Sequence, residues 1–356
     1  MFRKQILFTL LLTLLFGGFS GLVVSLWTRH YLDAYTALLF SQGPIRLSQE
    51  RPRTTSKTDA EALEALRENF GRALVQIIPV ISGNVIYTSK EAVLSGVILT
   101  SDGWIMSHRH EELFSRLDAG KILYDRQLYE IERIVHDPGT SVFFLKISAQ
   151  NLPVMPFWQG AEPLVGDPLF VGENPQTLFF STFVSSLYDP EETFIDSHPR
   201  KRWRLTQTFP DVLPGSIVMN VGGELVGMVV QEDEEKEMRV LPLDVVLPAI
   251  EQLLENGVIT RPSLGITLRD LSGVIFANDQ KNVLSRGVEI LALDPEGPAE
   301  LAHLKIGDIL LSINSVPVQA NSRFDDLLLS YRPGDVLRVT FDRQGTEMEV
   351  EVVLGP

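Results

Sequence analysis

The chain has 356 residues, 44% of them hydrophobic, which is enough for two packed domains because a single core rarely keeps growing beyond about 250–300 residues. A formal net charge of -15 removes any general electrostatic reason to approach DNA, RNA or an anionic lipid surface, since phosphate binding needs clustered Lys and Arg. With no cysteine the chain has no disulfide, thiolate metal site or Cys nucleophile, and its compartment stays open.

Ile6 to Trp27 is an apolar run broken only by Thr, Ser and Gly. At ~1.5 Å per residue it can cross a hydrocarbon core of ~30 Å, so it is expected to be a transmembrane helix. A cleaved signal peptide is the rival, with an apolar stretch Ile6 to Phe16 and a small-residue site at Gly18-Phe19-Ser20. Continuation through Leu22, Val23, Val24 and Leu26 favours the uncleaved anchor. Arg3 and Lys4 precede the run, while Arg29 and Arg46 follow it, and the bulk of the chain is oriented outside the cytoplasm. Residues 29–58 have little periodicity and form a linker. Leu63, Leu66, Phe70 and Leu74 then fall at helical spacing within 59–74.

Short strand-like runs follow at 75–82, 92–100, 104–107, 142–147, 169–172 and 216–221, separated by turns such as Ser101-Asp102-Gly103 and Asp137-Pro138-Gly139. Such a series indicates an all-β barrel or sandwich. The compact basic run Pro199-Arg200-Lys201-Arg202-Trp203-Arg204 is expected at a solvated loop edge rather than in a nucleic-acid patch. Val245 to Asn256 forms a helix stopped by Gly257. Beyond Arg261, strands at 264–268, 288–293, 309–313, 336–342 and 347–354 with helices near 298–304 and 322–331 make an α+β module of about one hundred residues.

The runs SGVILTSDGWIMSHRH, HDPGTSVFFLKISAQNLPV, LVGDPLFVGENP, then QT, PG and GGELVG, and RVLPLDVVLPAIEQLLENGVITRPSLGI resemble, in order, the HtrA (DegP/DegS) family of trypsin-like serine endopeptidases. GVEILALDPEGPAELAHLKIGDILLSINSVPV resembles that family's PDZ domain. The resemblance implies a mostly β fold, a chymotrypsin-like double β-barrel followed by an α+β PDZ domain, behind an N-terminal transmembrane helix. The expected divisions are 1–28 for the cytoplasmic tip and anchor, 29–58 for the linker, 59–258 for the peptidase-like domain and 259–356 for the PDZ domain.

The resemblance places His110 at the position of the catalytic base, in Gly103-Trp104-Ile105-Met106-Ser107-His108-Arg109-His110. The family's D-P-x-T-D-L-A-V-L-K-I matches 137–147, which puts Ser141 where the acid belongs. In the nucleophile segment Pro214-Gly215 runs directly into Ser216-Ile217-Val218, and three residues, including the Asn-Ser-Gly turn, are missing before Gly223-Glu224. Ser216 is the nearest serine to that lost turn. Without the acid the imidazole loses its orienting charge, worth ~10⁴ in rate in a chymotrypsin-type triad, and the lost turn carries oxyanion donors worth about 10²–10³ each.

Hydrolysis is therefore expected to be absent, the alternative being an active endopeptidase that uses His110 and Ser216. Asp137 and Asp211 are the carboxylates that could replace the acid in a rearranged site. His108, His110 and His136 lack the further ligands of a metal site, so no metal or other cofactor is expected.

The PDZ part keeps its machinery. Ser263-Leu264-Gly265-Ile266 occupies the place of the carboxylate-binding loop, and Ile266 and Leu268 have the alternation of a groove strand. Phe324, Leu327, Leu328 and Tyr331 lie on the helix expected as the opposite wall, plain core packing being the other role for them. Expected partners are protein C-termini or unfolded polypeptides, a homo-trimer or active relatives, and the membrane through the N-terminal helix, with no nucleic acid.

Overall fold

The computed structural model describes residues 67, 70–79, 92–108, 120–174, 176–187, 193–207, 209, 212–230, 238–271, 286–319 and 323–356. The expected anchor and linker, most of the 59–74 helix, His110 and Asp211 lie outside these residues. Leu74, counted into that helix by spacing, instead opens strand β1 (Leu74–Ile78), whose five residues are all buried. Burial on both faces leaves β1 without the alternation that marks a strand in sequence.

Two closed barrels follow. The first has the order β1-β2-β3-β6-β5-β4, built from β2 (Leu94–Ile98), β3 (Trp104–His108), β4 (Lys121–Tyr124), β5 (Gln127–His136) and β6 (Val142–Ile147) with β1. The second has the order β10-β13-β12-β11-β7-β8, from β7 (Pro168–Asn174), β8 (Thr177–Leu187), β10 (Arg202–Leu205), β11 (Ile217–Asn220), β12 (Leu225–Val230) and β13 (Arg239–Pro242). Closure pairs every strand on both edges and so removes the edge problem of an open sheet.

Alternation along these strands sorts side chains into three cores. On β6, Phe143, Leu145 and Ile147 fill the first barrel, while Val142 and Phe144 face a cluster shared by the two barrels. On β12, Val226 and Val229 fill the second barrel, and Leu225, Met228 and Val230 face the same shared cluster. Both faces being covered, the strands appear in sequence as continuous apolar runs. Helix α1 (Leu243–Asn256) lays Val245, Val246, Ala249, Ile250 and Leu253 on the shared cluster, and Gly257 ends it in the left-handed region with its N–H on the Leu253 carbonyl.

The third sheet has the order β19-β18-β16-β15-β14-β9, with β17 (Val316–Pro317) beside β16. It contains β14 (Ile266–Asp270), β15 (Val288–Leu293), β16 (Ile309–Ile313), β18 (Val336–Arg343) and β19 (Thr346–Val353), with helices α2 (Pro298–Leu301) and α3 (Phe324–Leu328). Its sixth ordered strand, β9 (Thr193–Ile195), comes from the peptidase-like part of the chain, between β8 and β10.

The basic run corrects an expectation. Pro199 to Arg204 is not a solvated loop edge: Arg202 and Trp203 are 9% and 3% exposed and belong to β10 in the second barrel. Lys201 is held between Asp244 at 2.8 Å and Glu162 at 3.4 Å. Burial alone would depress its ammonium, but the hydrogen bond and charge of Asp244, with Glu162, keep it raised. Arg200 and Lys201 are neutralised by carboxylates distant in sequence, and Arg202 donates to the nearby Pro199 and Lys201 carbonyls at 3.1 and 2.8 Å, pairings that local composition does not reveal.

Candidate functional site

Two sites were expected, a peptidase-type triad and the peptide-binding groove of the PDZ domain. At the first, β3 and β6 pair with His108 opposite Val142, and β5 ends with His136 opposite Phe143. Ser141 immediately precedes β6; its Oγ is buried and has no hydrogen-bond partner among the described residues. No negative charge stands at this position.

The carboxylate next in line, Asp137, is already committed. It accepts from Gly139 N (3.1 Å), Thr140 Oγ1 (2.7 Å), Arg261 Nε (2.8 Å) and Arg261 Nη2. Arg261 also donates to the Val245 carbonyl at 3.0 Å. Asp137 thus fastens the segment entering the PDZ domain to the first barrel, and all of its acceptor positions are used. That removes it as a replacement acid in this arrangement.

Around Ser216 the chain is hydrogen-bonded on both sides. The Pro214 carbonyl accepts from Ser95 N at 2.9 Å, on β2, while Gly215 N donates to the Val229 carbonyl at 2.9 Å, on β12. The Ser216 carbonyl in turn accepts from Val229 N at 2.7 Å. Gly215 makes this close approach possible: its φ is +85°, and a Cβ there would lie 2.1 Å from the Ser95 carbonyl oxygen. Ser216 follows with 0% exposure, its Oγ donating to the Leu213 carbonyl at 2.7 Å. Residues 213–216 are a seam that ties the two barrels together.

In the PDZ sheet, Ser263 and Gly355 exchange backbone hydrogen bonds, and Gly265 turns the loop at φ +71°. Ser263 Oγ accepts from Gly265 N at 2.8 Å, which stiffens the loop. A carboxylate sits in it. Asp196 accepts from Leu264 N and from Ser263 Oγ (3.0 Å to Oδ1), while Asp196 N donates to the Ile266 carbonyl at 3.2 Å. Burial pushes the Asp196 carboxyl up to about 6, against the hydrogen bonds of Leu264, Ser263, Ile266 and Ser197 that favour the anion.

Upstream of Asp196, β9 lies antiparallel along β14, with Ile195 opposite Thr267, Phe194 opposite Leu268 and Thr193 opposite Arg269. The Phe194 side chain is 5% exposed in the cluster of Leu264, Ile266, Leu268, Phe324 and Leu328. Leu327 and Tyr331 pack at the margin of that cluster, and the Tyr331 hydroxyl accepts from Asn314 Nδ2 at 3.0 Å. Of the expected groove residues, then, Leu264, Ile266, Leu268, Phe324 and Leu328 meet around one aromatic ring. The β14 edge expected to be available for a peptide is taken by the chain itself.

Downstream, Arg200 covers the Phe194 ring at 3.6 Å from its centroid. Its guanidinium lies 3.3 Å from Asp270 and 3.3 Å from Asp325, and its backbone N–H donates to Asp325 Oδ2 at 2.8 Å. Arg323 adds a further contact to Asp270. Asp270 closes β14 and Asp325 lies in α3, so Arg200 bridges the two walls of the groove.

The PDZ domain family matches residues 262–354. "Probable periplasmic serine endoprotease DegP-like" from Ectopseudomonas mendocina is 24% identical over 360 residues, covering 93% of this chain and 72% of that protein. "Serine endoprotease DegS" from Salmonella typhimurium is 24% identical over 275 residues, covering 73% of this chain and 76% of its own. Among solved structures, "HtrA-type protease AlgW with decapeptide" superposes with a TM-score of 0.61 at 16% identity, over 84% of this chain and 98% of that one. Along most of its length the chain is similar to HtrA (DegP/DegS-like) proteins.

The chain spans between 55% and 76% of the length of the DegP-like relatives it matches. Residues 263–266 form the loop that leads into β14, which holds Ile266 and Leu268. Asp196, Phe194, Arg200, Asp270 and Asp325 went unrecognised from sequence, as did Arg261. The only local hint is Thr193-Phe194-Ile195-Asp196, one aromatic flanked by β-branched residues, too short to distinguish from a loop.

Proposed function

We propose that this chain is a membrane-anchored, extracytoplasmic HtrA-type protein that recognises protein C-termini or misfolded segments through its PDZ domain without hydrolysing them, in quality control or stress sensing. One observation carries the loss of hydrolysis. Ser216 is wholly enclosed, its hydroxyl donates to the Leu213 carbonyl, and the backbone on either side is bonded to β2 or β12. A nucleophilic serine needs an exposed Oγ, a base within reach and amides aimed at the developing oxyanion. Here the residue is bonded as a strand residue. Ser141 supplies a hydroxyl where an imidazole would require a carboxylate, and Asp137 is held by Arg261. The periplasmic names among the relatives support the extracytoplasmic location.

The comparisons favour a second reading. The matched relatives carry endoprotease names, and AlgW, described as a protease, was solved with a peptide. Under that reading His110 and Ser216 cleave misfolded envelope proteins, which requires the 213–216 seam to open and free the Ser216 hydroxyl. A fluorescent fluorophosphonate applied to the full chain, beside casein turnover, decides between the two. The expected result is neither adduct nor cleavage. An adduct on Ser216 together with turnover that disappears in His110→Ala and Ser216→Ala would establish the endopeptidase.

A further inference from the structure

Four features of β9 coincide with what a bound C-terminal peptide would supply. It runs antiparallel on the β14 edge, its alternate residue Phe194 is buried with residues of β14 and α3, the N–H of the following Asp196 bonds the Ile266 carbonyl, and the Asp196 carboxylate lies in the 263–266 loop. The difference is covalent: the carboxylate is the side chain of Asp196, and the backbone continues to Ser197 instead of terminating. We propose that Thr193–Asp196 is a built-in ligand of the PDZ groove, latched by Arg200, and that a partner's C-terminus binds only by exchanging with it. This rests on the reading of the 263–266 loop as the site for a peptide carboxylate.

The latch follows from the charges. Asp270 is 2% and Asp325 1% exposed, and burying carboxylates at that depth requires cations beside them. Arg200 stands against both and simultaneously roofs Phe194, so the ring cannot leave while the guanidinium keeps its place. Its backbone N–H on Asp325 fixes the end of the segment as well as its side chain. The internal segment is tethered within the same chain and competes at a high effective concentration, so a free peptide is at a disadvantage until the tether is displaced.

The test uses the full chain, which has no cysteine of its own. Ile195→Cys with Thr267→Cys places two thiols at directly opposed positions of the β9–β14 pair, within the span a disulfide bridges. Oxidation should cross-link them nearly completely. The probe is a fluorescein-labelled Ser-Gly-Thr-Phe-Ile-Val peptide with a free carboxylate. It should not bind the oxidised chain, and reduction should restore the affinity of the unaltered protein. In Phe194→Ala/Asp196→Ala the probe should bind at least ten-fold tighter, and Arg200→Ala should give a smaller gain.

Failure of the thiols to cross-link would overturn the proposal, as would equal affinity in oxidised, reduced and opened chains; in that last case the peptide-binding reading would stand. Cross-linking with no probe binding, even to the opened chain, would remove the partner exchange together with the peptide-binding reading beneath it. The redox comparison uses one and the same chain, so it decides the matter even if the double alanine variant does not fold.

Discussion

The seam at Ser216 and the segment at Asp196 are both places where the chain is bonded to distant strands, but they are held by different means. In the seam, Pro214 to Ser216 is bonded into β2 on one side and β12 on the other, so removing it would open both barrels. In the groove, Thr193 to Asp196 lies on the outer edge of the sheet, and its removal exposes β14 and the apolar residues around Phe194 while β14 to β19 stay paired with one another. Closure of the first kind belongs to the global fold, whereas closure of the second kind is a local equilibrium.

That contrast can be broken most directly at the buried ion pair between the first barrel and the segment entering the PDZ domain. Arg261→Ala strands Asp137 without its cation and should lower global stability by about 3–5 kcal/mol in urea unfolding. A loss below about 1 kcal/mol would mean that this junction does not belong to the cooperative unit. Next comes Gly215→Ala, which forces a Cβ against the Ser95 carbonyl at positive φ and should cost about 2–4 kcal/mol by the same measurement.

The groove should respond to pH instead. Asp196 has its carboxyl raised from 3.8 to about 6 when docked, so docking is fully stable below pH 4, weakens as pH rises through 6, and is weakest at neutrality. The groups facing it are the Leu264 amide, the Ser263 hydroxyl and the Ile266 and Ser197 backbone. A C-terminal probe keeps its own carboxylate ionised above about pH 4, and should therefore bind more tightly at pH 7 than at pH 5. The gain has a ceiling of about two orders of magnitude between full protonation and full ionisation. Asp196→Asn should flatten the profile; an unchanged slope in that variant would place the titrating group elsewhere. The smallest effect is expected at Arg332 and Glu255, an exposed pair at 3.5 Å between the PDZ domain and α1. Arg332→Ala should change the unfolding free energy by less than about 1 kcal/mol, since solvent screens such a pair.

Strands β6, β15 and β16 were legible to the residue, because each is a short apolar or alternating run between turns. The β4–β5 hairpin was missed for an identifiable reason. Its two-residue turn is Asp125-Arg126, both at positive φ (44° and 60°), where an arginine gives no turn signal. Strand β10 was missed because its arginines suggested solvent.

The sequence on its own carried the resemblance to HtrA proteins and the order of the two domains, and it carried the expectations of a missing acid at Ser141 and a shortened segment before Ser216. These are carried by residue identity and collinear spacing, which survive without coordinates. Only the tertiary structure decided that Ser216 is enclosed, that Asp137 belongs to Arg261, and that Asp196 occupies the PDZ loop 68 residues before its partner Leu264. Each of these is a pairing between segments far apart in the chain. Charge neutralisation and strand addition depend on which groups meet in space, and neither leaves a periodic trace along the sequence.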